Sequence, residues 1–598
     1  MTRNVKPEAG STAERVRAGW AMLASQRPHA AWATWQAVLS QNPDDPAARA
    51  AMDTLAASPE LPEVARKPLR FLPPASEPAR QRWDTILRAQ LSSTETPNST
   101  DPATAALAFK ALLESAPDDA EATWNLAVCQ AWMGWNRSAV ETLDRFVDIA
   151  HDKMPDRAAD AWTLAELLRH GAGAEDLADS VKLSVTVPAG IIALDLSAKE
   201  IARAFGTLIT YASKSADGSE PGSASGSTDF AADILDRPLG VADETLSAVT
   251  ASVVSSDESA RFSAPASPSA GLFFRELIDQ WRFLEESHRP AKIDVTVLPI
   301  ALLDAAVFRF RLPENLPESH KERLPLEGVA AYFESEWVEQ PRYGLAGRTP
   351  LDASIDALPA TKVRLEGIIH FLEQLAHRPG RQALYGNYDF DRLRYRLGLT
   401  SPPGKDDAKG EARHKALSLY DPNHVRRLKP EGLSPEDLAV AWETAFAVHD
   451  DDSALRLGAY IAETAPAALV GLSMADFVAP FLRRWLSEGP ESDSGQKWLD
   501  FAMKTDAELH AGRDMHRLLE WKAELATRRG DAPAASLAWK AACEHPSAPP
   551  IFPYEAVIDM WEMPEGPEAA LKFAADAISD SRNEYVKALL RKAMEMTD

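Results

Sequence analysis

Residues 120–146 read AEATWNLAVCQAWMGWNRSAVETLDRF. The text favours helix on both sides of a turn at Gly134, with Leu126 and Ala127 before it and Ala139 and Leu143 after it. Small residues let two helix backbones approach, and large apolar ones fill the gaps that remain. Moving the frame back by about 34 residues, the period of a paired-helix repeat, puts Ala105 on the small position and Phe109 on the large one. Pro117 then closes the unit, as proline stops a helix. The N-terminal segment offers Gly19, Ala31, Trp35 and Pro43 in corresponding places. Trp162, Leu164 and Ala165, with a turn near Gly171 and Gly173, make a looser unit. Toward the other end, Gly530, Ala535, Trp539 and Ala542 repeat the pattern. Ala569 and Phe573 follow one period later, and Ala441, Ala454 and Pro466 fit a further frame.

In these landmarks the chain resembles the tetratricopeptide repeat family, from Ala13 to Val181 and again from Ser434 to Met596. The resemblance implies antiparallel helix pairs stacked as a solenoid, with partners bound along a concave face lined by the first helix of each unit. It also places Asn125 where the family often holds a peptide backbone or terminal carboxylate; Trp132 and Trp135 read either as exposed aromatics for the same partner or as core residues. The sequence shows no matching Lys and Arg set across neighbouring units, so a clamp for an acidic C-terminus is not expected. Asp53 stands where a small residue belongs, and residues 49–90 are broken by prolines. That stretch reads as a degenerate unit or an irregular connection.

The middle of the chain reads differently. Val181 to Leu194 reads as one or two short strands or an apolar turn, and Ile293 to Leu312 as a strand followed by an apolar run. Tyr211 to Phe230 and Ser252 to Ala270 read as Ser/Gly/Pro-rich linkers, with a short helix around Ala231 to Ala248 between them. Leu272 to Glu286 is an amphipathic helix. The string Gly347-Arg348-Thr349-Pro350-Leu351 within 334–378 is similar to the toxin-binding segment of ParS-type bacterial antitoxins. In physical terms, Thr349 caps a helix that begins at Pro350. A hydrophilic linker follows at 401–411. The expected fold is therefore mainly α: helical repeat arrays at 11–181 and 430–598 flank a small mixed α/β region at 182–312, which carries the linkers, and a small helical domain at 320–400.

With 598 residues the chain has room for several domains. Its net charge of −25 and pI near 5.0 argue against nucleic acid and anionic membrane surfaces as partners. The polar N-terminus and the lack of an apolar run of about 18 residues suggest neither signal peptide nor membrane span, hence a cytoplasmic protein. Cys129 and Cys543 cannot build a disulfide framework. The common phosphate-loop, nucleophile-elbow, zinc-protease and dinucleotide strings are missing, and no cofactor, metal or catalytic residue is expected.

Glu366, His370, Glu373 and His377 share one helix face and have zinc-ligand chemistry, but read better as a solvated face. Tyr385 to Arg396 alternates aromatic and charged residues and reads as a packing surface rather than a base-stacking one. His288, His449 and His516 read as surface or core residues, and Asp118–Asp119 and Asp450–Asp452 as helix caps. The function these features favour is a non-enzymatic scaffold or adaptor that binds proteins or peptides. An antitoxin-like regulatory module and an enzyme with a site in the middle region are the alternatives.

Overall fold

Helices make up most of the described chain, and one antiparallel sheet interrupts them. The computed structural model describes residues 11–90, 101–179, 181–188, 198–211, 230–236, 246–255, 259–284, 292–298, 303, 310–312, 321, 323–355, 358–378, 387–400, 408–488, 494–563 and 566–595. The N-terminal helices are α1 (Thr12–Ala24), α2 (Pro28–Gln41), α3 (Pro46–Ala57), α4 (Glu63–Arg66), α5 (Glu77–Gln90), α6 (Pro102–Ser115), α7 (Ala120–Trp132), α8 (Asn136–Ala150) and α9 (Pro155–Arg169). The middle holds β1 (Val181–Pro188), α10 (Ala198–Ala204), β2 (Thr207–Tyr211), β3 (Phe230–Leu235), β4 (Ser247–Ser255), β5 (Ser259–Pro265), α11 (Pro268–Leu284), β6 (Ile293–Val297), β7 (Phe310–Arg311) and α12 (Arg323–Ala331). Then come α13 (Pro350–Ile355), α14 (Pro359–Ala376), α15 (Phe390–Arg396), α16 (Ala408–Ser418), α17 (Pro422–Arg427), α18 (Pro435–Ala447), α19 (Asp451–Thr464), α20 (Met474–Glu488) and α21 (Ser494–Leu509). The chain closes with α22 (Met515–Arg528), α23 (Ala532–Glu544), α24 (Phe552–Trp561), α25 (Gly566–Asp580) and α26 (Glu584–Glu595).

Contacts group the described residues into two compact units. One draws on 1–181, 297–307 and 337–400, the other on 182–296, 308–336 and 401–598.

In the first unit several helix starts are written into the sequence. Asp45, Asp101 and Asp119 accept bonds from the first free amides of α3, α6 and α7, and proline follows at the first helical position of α3 and α6. Gly134 ends α7 with a φ of +71°, a conformation that costs other residues a clash. The small and large landmarks meet as their sizes demand. Ala127, Ala139, Leu143 and Phe109 are fully buried. The Trp35 ring occupies the space that a side chain at Gly19 would need, and its Nε1 donates to the Val16 carbonyl at 3.1 Å. Asp53 lies exposed on α3, so the missing small residue costs nothing there.

Helix α14 packs on α9 in this unit. A Cβ at Gly367 would stand 2.6 Å from the Ala159 carbonyl, and Thr163 Oγ1 donates to the Gly367 carbonyl at 3.0 Å. Arg364 holds Asp144 and Asp148 of α8, each at 2.7 Å. Part of the segment expected as its own small domain, 337–400, thus has its contacts with the N-terminal helices.

The second unit contains the sheet, in the order β2-β3-β4-β5-β1-β6 with β7 on β4. The strands expected from Val181 and Ile293 are present, as is the amphipathic helix, α11. Two other expectations are corrected. Residues expected to be helical from Ala231 form β3 and the start of β4. The supposed linker from Ser252 is the β4–β5 hairpin, with Val253 paired to Phe262. The physical reason is a period-two pattern written in small letters. Ala251 and Val253 on β4, and Ala260, Phe262 and Ala264 on β5, all face a core. Their serine neighbours made the text look like linker, and alanine there leaves room for helices. That core is shared: strand residues, α11 and the helices from α22 to α26 form one apolar cluster. A second cluster lies among α18 to α22. Asp450 and Asp531 cap helices here as Asp119 does in the first unit, and Gly530 takes a φ of +73° at the turn before α23. Ala570 and Ala574 are the fully buried alanines of α25, and the expected Ala569 is only partly buried. Of the expected linkers, 212–229 and 401–407 lie outside the described residues, as does His288, while 408–411, expected as linker, opens α16.

Candidate partner-binding surface

Asn125 sits midway along α7 and is 1% exposed. Its side-chain amide spans both main-chain groups of one residue: the Leu72 N–H donates to Oδ1 at 2.7 Å, and Nδ2 donates to the Leu72 carbonyl at 2.9 Å. Next to it, Trp124 Nε1 donates to the Arg70 carbonyl at 2.9 Å. Phe71, between these two held residues, packs against Phe109 and Trp132 with ring centroids 5.3 and 5.0 Å away. A side-chain amide that pairs with an N–H and a C=O together reads backbone, not side chain. The geometry is that of a peptide held in a groove, and the peptide is the chain's own segment 70–72. The prolines of the irregular stretch shape it. Pro68 biases Lys67 to extended backbone, observed at φ −97° and ψ 135°, and Pro73 restricts Leu72 in the same way.

The structure therefore brings two of the three expected partner-binding residues, Asn125 and Trp132, around one segment. Trp135 stands 52% exposed at the start of α8. Sequence reasoning missed Trp124 and the segment itself. The signal available was the Lys67-Pro68 and Leu72-Pro73-Pro74 spacing, which enforces an extended stretch where a repeat helix would be expected.

The His/Glu ladder of α14 has another use. Arg394, on the aromatic and charged segment, donates to Glu366 at 2.6 Å and to both carboxylate oxygens of Glu373 at 2.6 and 2.8 Å. His370 lies 3.2 Å from Glu366, and His377 Nδ1 lies 2.7 Å from the Glu373 carbonyl. Burial opposes the Glu366 charge, but the bonds from His370 and Arg394 outweigh it and hold its pKa below the usual range. The bond to Glu366 raises that of His370. The Glu366 and Glu373 part of the face expected to be solvated is thus covered by Arg394 of α15, which is buried, whereas His377 is exposed as expected. Among the described residues no group of three or more His, Cys, Asp or Glu is arranged to hold a metal ion. No described helix is long and apolar enough to cross a membrane.

The second unit has a cleft of about 1470 Å³ bordered by α10, α23, α25 and the turn at 581–583. Arg203, Lys540 and Lys572 share its walls with Glu544, Glu568 and Asp576, so neither sign of charge dominates. Cys543 lines it, and burial pushes that thiol up to about 12, which keeps it protonated and unreactive at neutral pH. On α24, Glu555 lies within electrostatic reach of Glu520, Glu276 and Asp559. Burial first, then these carboxylates, raise its pKa to about 8. His516 stacks on His545 with ring centroids 5.5 Å apart.

No family model matches the sequence, and no curated protein matches it. Among solved structures, the crystal structure of the yeast Tom70 is similar over 98% of this chain and 96% of its own, at 12% identity and a TM-score of 0.23. No comparison supports the antitoxin resemblance. Thr349 does cap α13, its Oγ1 accepting from the Asp352 N–H at 3.0 Å, but Leu345 and Leu351 are buried inside the first unit instead of facing a partner. Gly344 lies so close to Trp162 that no side chain would fit.

Proposed function

We propose that the chain is a non-enzymatic interaction scaffold of the tetratricopeptide-repeat type, with stacked helix pairs at each end that hold extended segments of partner proteins. The observation that carries this reading is the Asn125 clamp. A buried amide that satisfies both main-chain groups of one extended residue, beside an indole that takes the carbonyl two residues earlier, is built to hold peptide. Backbone bonds of this kind give affinity, and the pocket for the intervening side chain gives specificity. The two thiols, Cys129 and Cys543, are unpaired and fit a reducing, cytoplasmic setting.

The test is affinity capture on the full chain, with an Asn125→Ala and Trp124→Phe double variant as the parallel bait. A captured protein counts only if it binds again after purification, at a fixed stoichiometry by calorimetry. The expected result is a partner whose affinity falls about tenfold or more in the double variant, since each lost buried bond costs about 1–3 kcal/mol. Failure to find any such stoichiometric partner across growth conditions would sink the proposal.

A further inference from the structure

We propose that residues 68–74 are an internal ligand of the α7 groove, exchanged there for an extended partner segment that carries an aromatic–aliphatic pair next to a basic residue. The inference rests on the scaffold reading above and names what that scaffold binds. Four observations carry it.

The first is the manner of attachment. Residues 68–74 belong to no helix or strand, and the main chains of Arg70 and Leu72 are held by α7 side chains. Alternate main-chain contacts two residues apart are how an extended ligand is read, with the intervening side chain turned into a pocket. The second is the pocket. Phe71 fills it between Phe109 and Trp132, and joins the apolar cluster of α5, α6 and α7 without being fully buried itself.

The third is the outer face. Pro68, Arg70 and Pro73 are exposed, so the segment lies at the surface of the helices and not between them. Its departure uncovers a groove and leaves the helix caps of Asp101 and Asp119 intact. The fourth is preorganisation. Three prolines in seven residues limit the freedom lost on docking, which is what a competing ligand must overcome.

The polar accounting explains why an exchange is favoured over simple opening. Once the segment leaves, Asn125 has only water for a partner, and an incoming backbone restores both bonds. The chemistry of the incoming segment follows from the resident one. It offers an extended backbone without a helix-forming run, an aromatic side chain for the Phe71 pocket, an aliphatic residue at the Leu72 position, and a basic residue at the exposed Arg70 position. A tethered ligand is present at an effective concentration on the order of millimolar. A free peptide of the same sequence therefore binds the intact chain weakly, and a partner succeeds by binding tighter or through a second contact.

The probe is a fluorescein-labelled synthetic peptide with the sequence of residues 66–76, titrated by anisotropy into the full chain and into a Phe71→Asp variant, which puts a charge into the aromatic pocket. The expected result is binding at least about tenfold tighter to Phe71→Asp than to the parent chain, lost again when Asn125→Ala is added. A second measurement serves if the variant does not fold. Hydrogen exchange of the Leu72 amide in the parent chain is slow in the clamp, and saturating unlabelled peptide is expected to speed it. A folded Phe71→Asp protein that binds no better than the parent overturns the exchange, as does Leu72 exchange that saturating peptide leaves unchanged. The scaffold reading fails on a different result, the lack of a stoichiometric partner in the capture experiment, which does not depend on this peptide.

Discussion

At the scale of single residues, burial decides what each polar group does. Asn125→Ala removes both partners of the Leu72 main chain and is expected to lower the stability of the first unit by about 1–3 kcal/mol, read from denaturant unfolding. His29 and His170 are buried in the same unit, and burial lowers each pKa from 6.5 to about 4. Between those values the unfolded chain binds more protons than the folded one. Stability is therefore fully present above pH 6.5 and is lost as the pH falls toward 4. His29→Gln is expected to remove its share of that slope. Glu555 in the second unit has the opposite sign. Its folded pKa, about 8, lies above the ordinary 4.5, so its contribution is present below pH 4.5 and disappears as the pH rises through 8. Glu555→Gln should melt at a higher temperature than the parent at pH 8 and at the same temperature at pH 4; a difference independent of pH would refute the assignment. The position of Asn125 was legible in the sequence. Its ligand was not, because an amide buried by a segment some fifty residues away leaves no local trace.

At the scale of elements, helices were legible and strands only in part. Caps such as Asp119 and turn glycines such as Gly134 act within a few residues of themselves, so their meaning survives in the text. The β4–β5 hairpin failed to read as strand because its inward positions are mostly alanine and its neighbours serine, a composition that alone suggests linker. Only α11 and the C-terminal helices supply the apolar partners that make those alanines a core. Gly367 makes a similar point. Within α14 it looks like a weak spot in a helix, yet a Cβ there would stand 2.6 Å from the Ala159 carbonyl of α9. Gly367→Ala, which would stabilise an isolated helix, is expected to destabilise the first unit by about 1–3 kcal/mol through overpacking, as thermal unfolding would show.

At the scale of the whole molecule, two compact units with separate cores predict an unfolding curve that is not two-state. Calorimetry is expected to resolve two transitions. Moving from pH 6.5 to 4.5 should lower the transition that His29→Gln alters, and Glu555→Gln should move only the other. A single transition displaced by both variants would contradict this picture. The −25 charge, the helical periodicity, the capping residues and the extended bias at Pro68 and Pro73 were fixed by sequence alone, because each acts through its own charge or through neighbours along the chain. Tertiary structure decided the rest. It folded 337–400 onto the N-terminal helices, merged the sheet with the C-terminal ones, gave Glu366 and Glu373 to Arg394, and filled the Asn125 clamp with Leu72. Each of these depends on partners distant in sequence, and which of many compatible surfaces meet is set by the summed burial of the folded chain, a quantity that no local pattern contains.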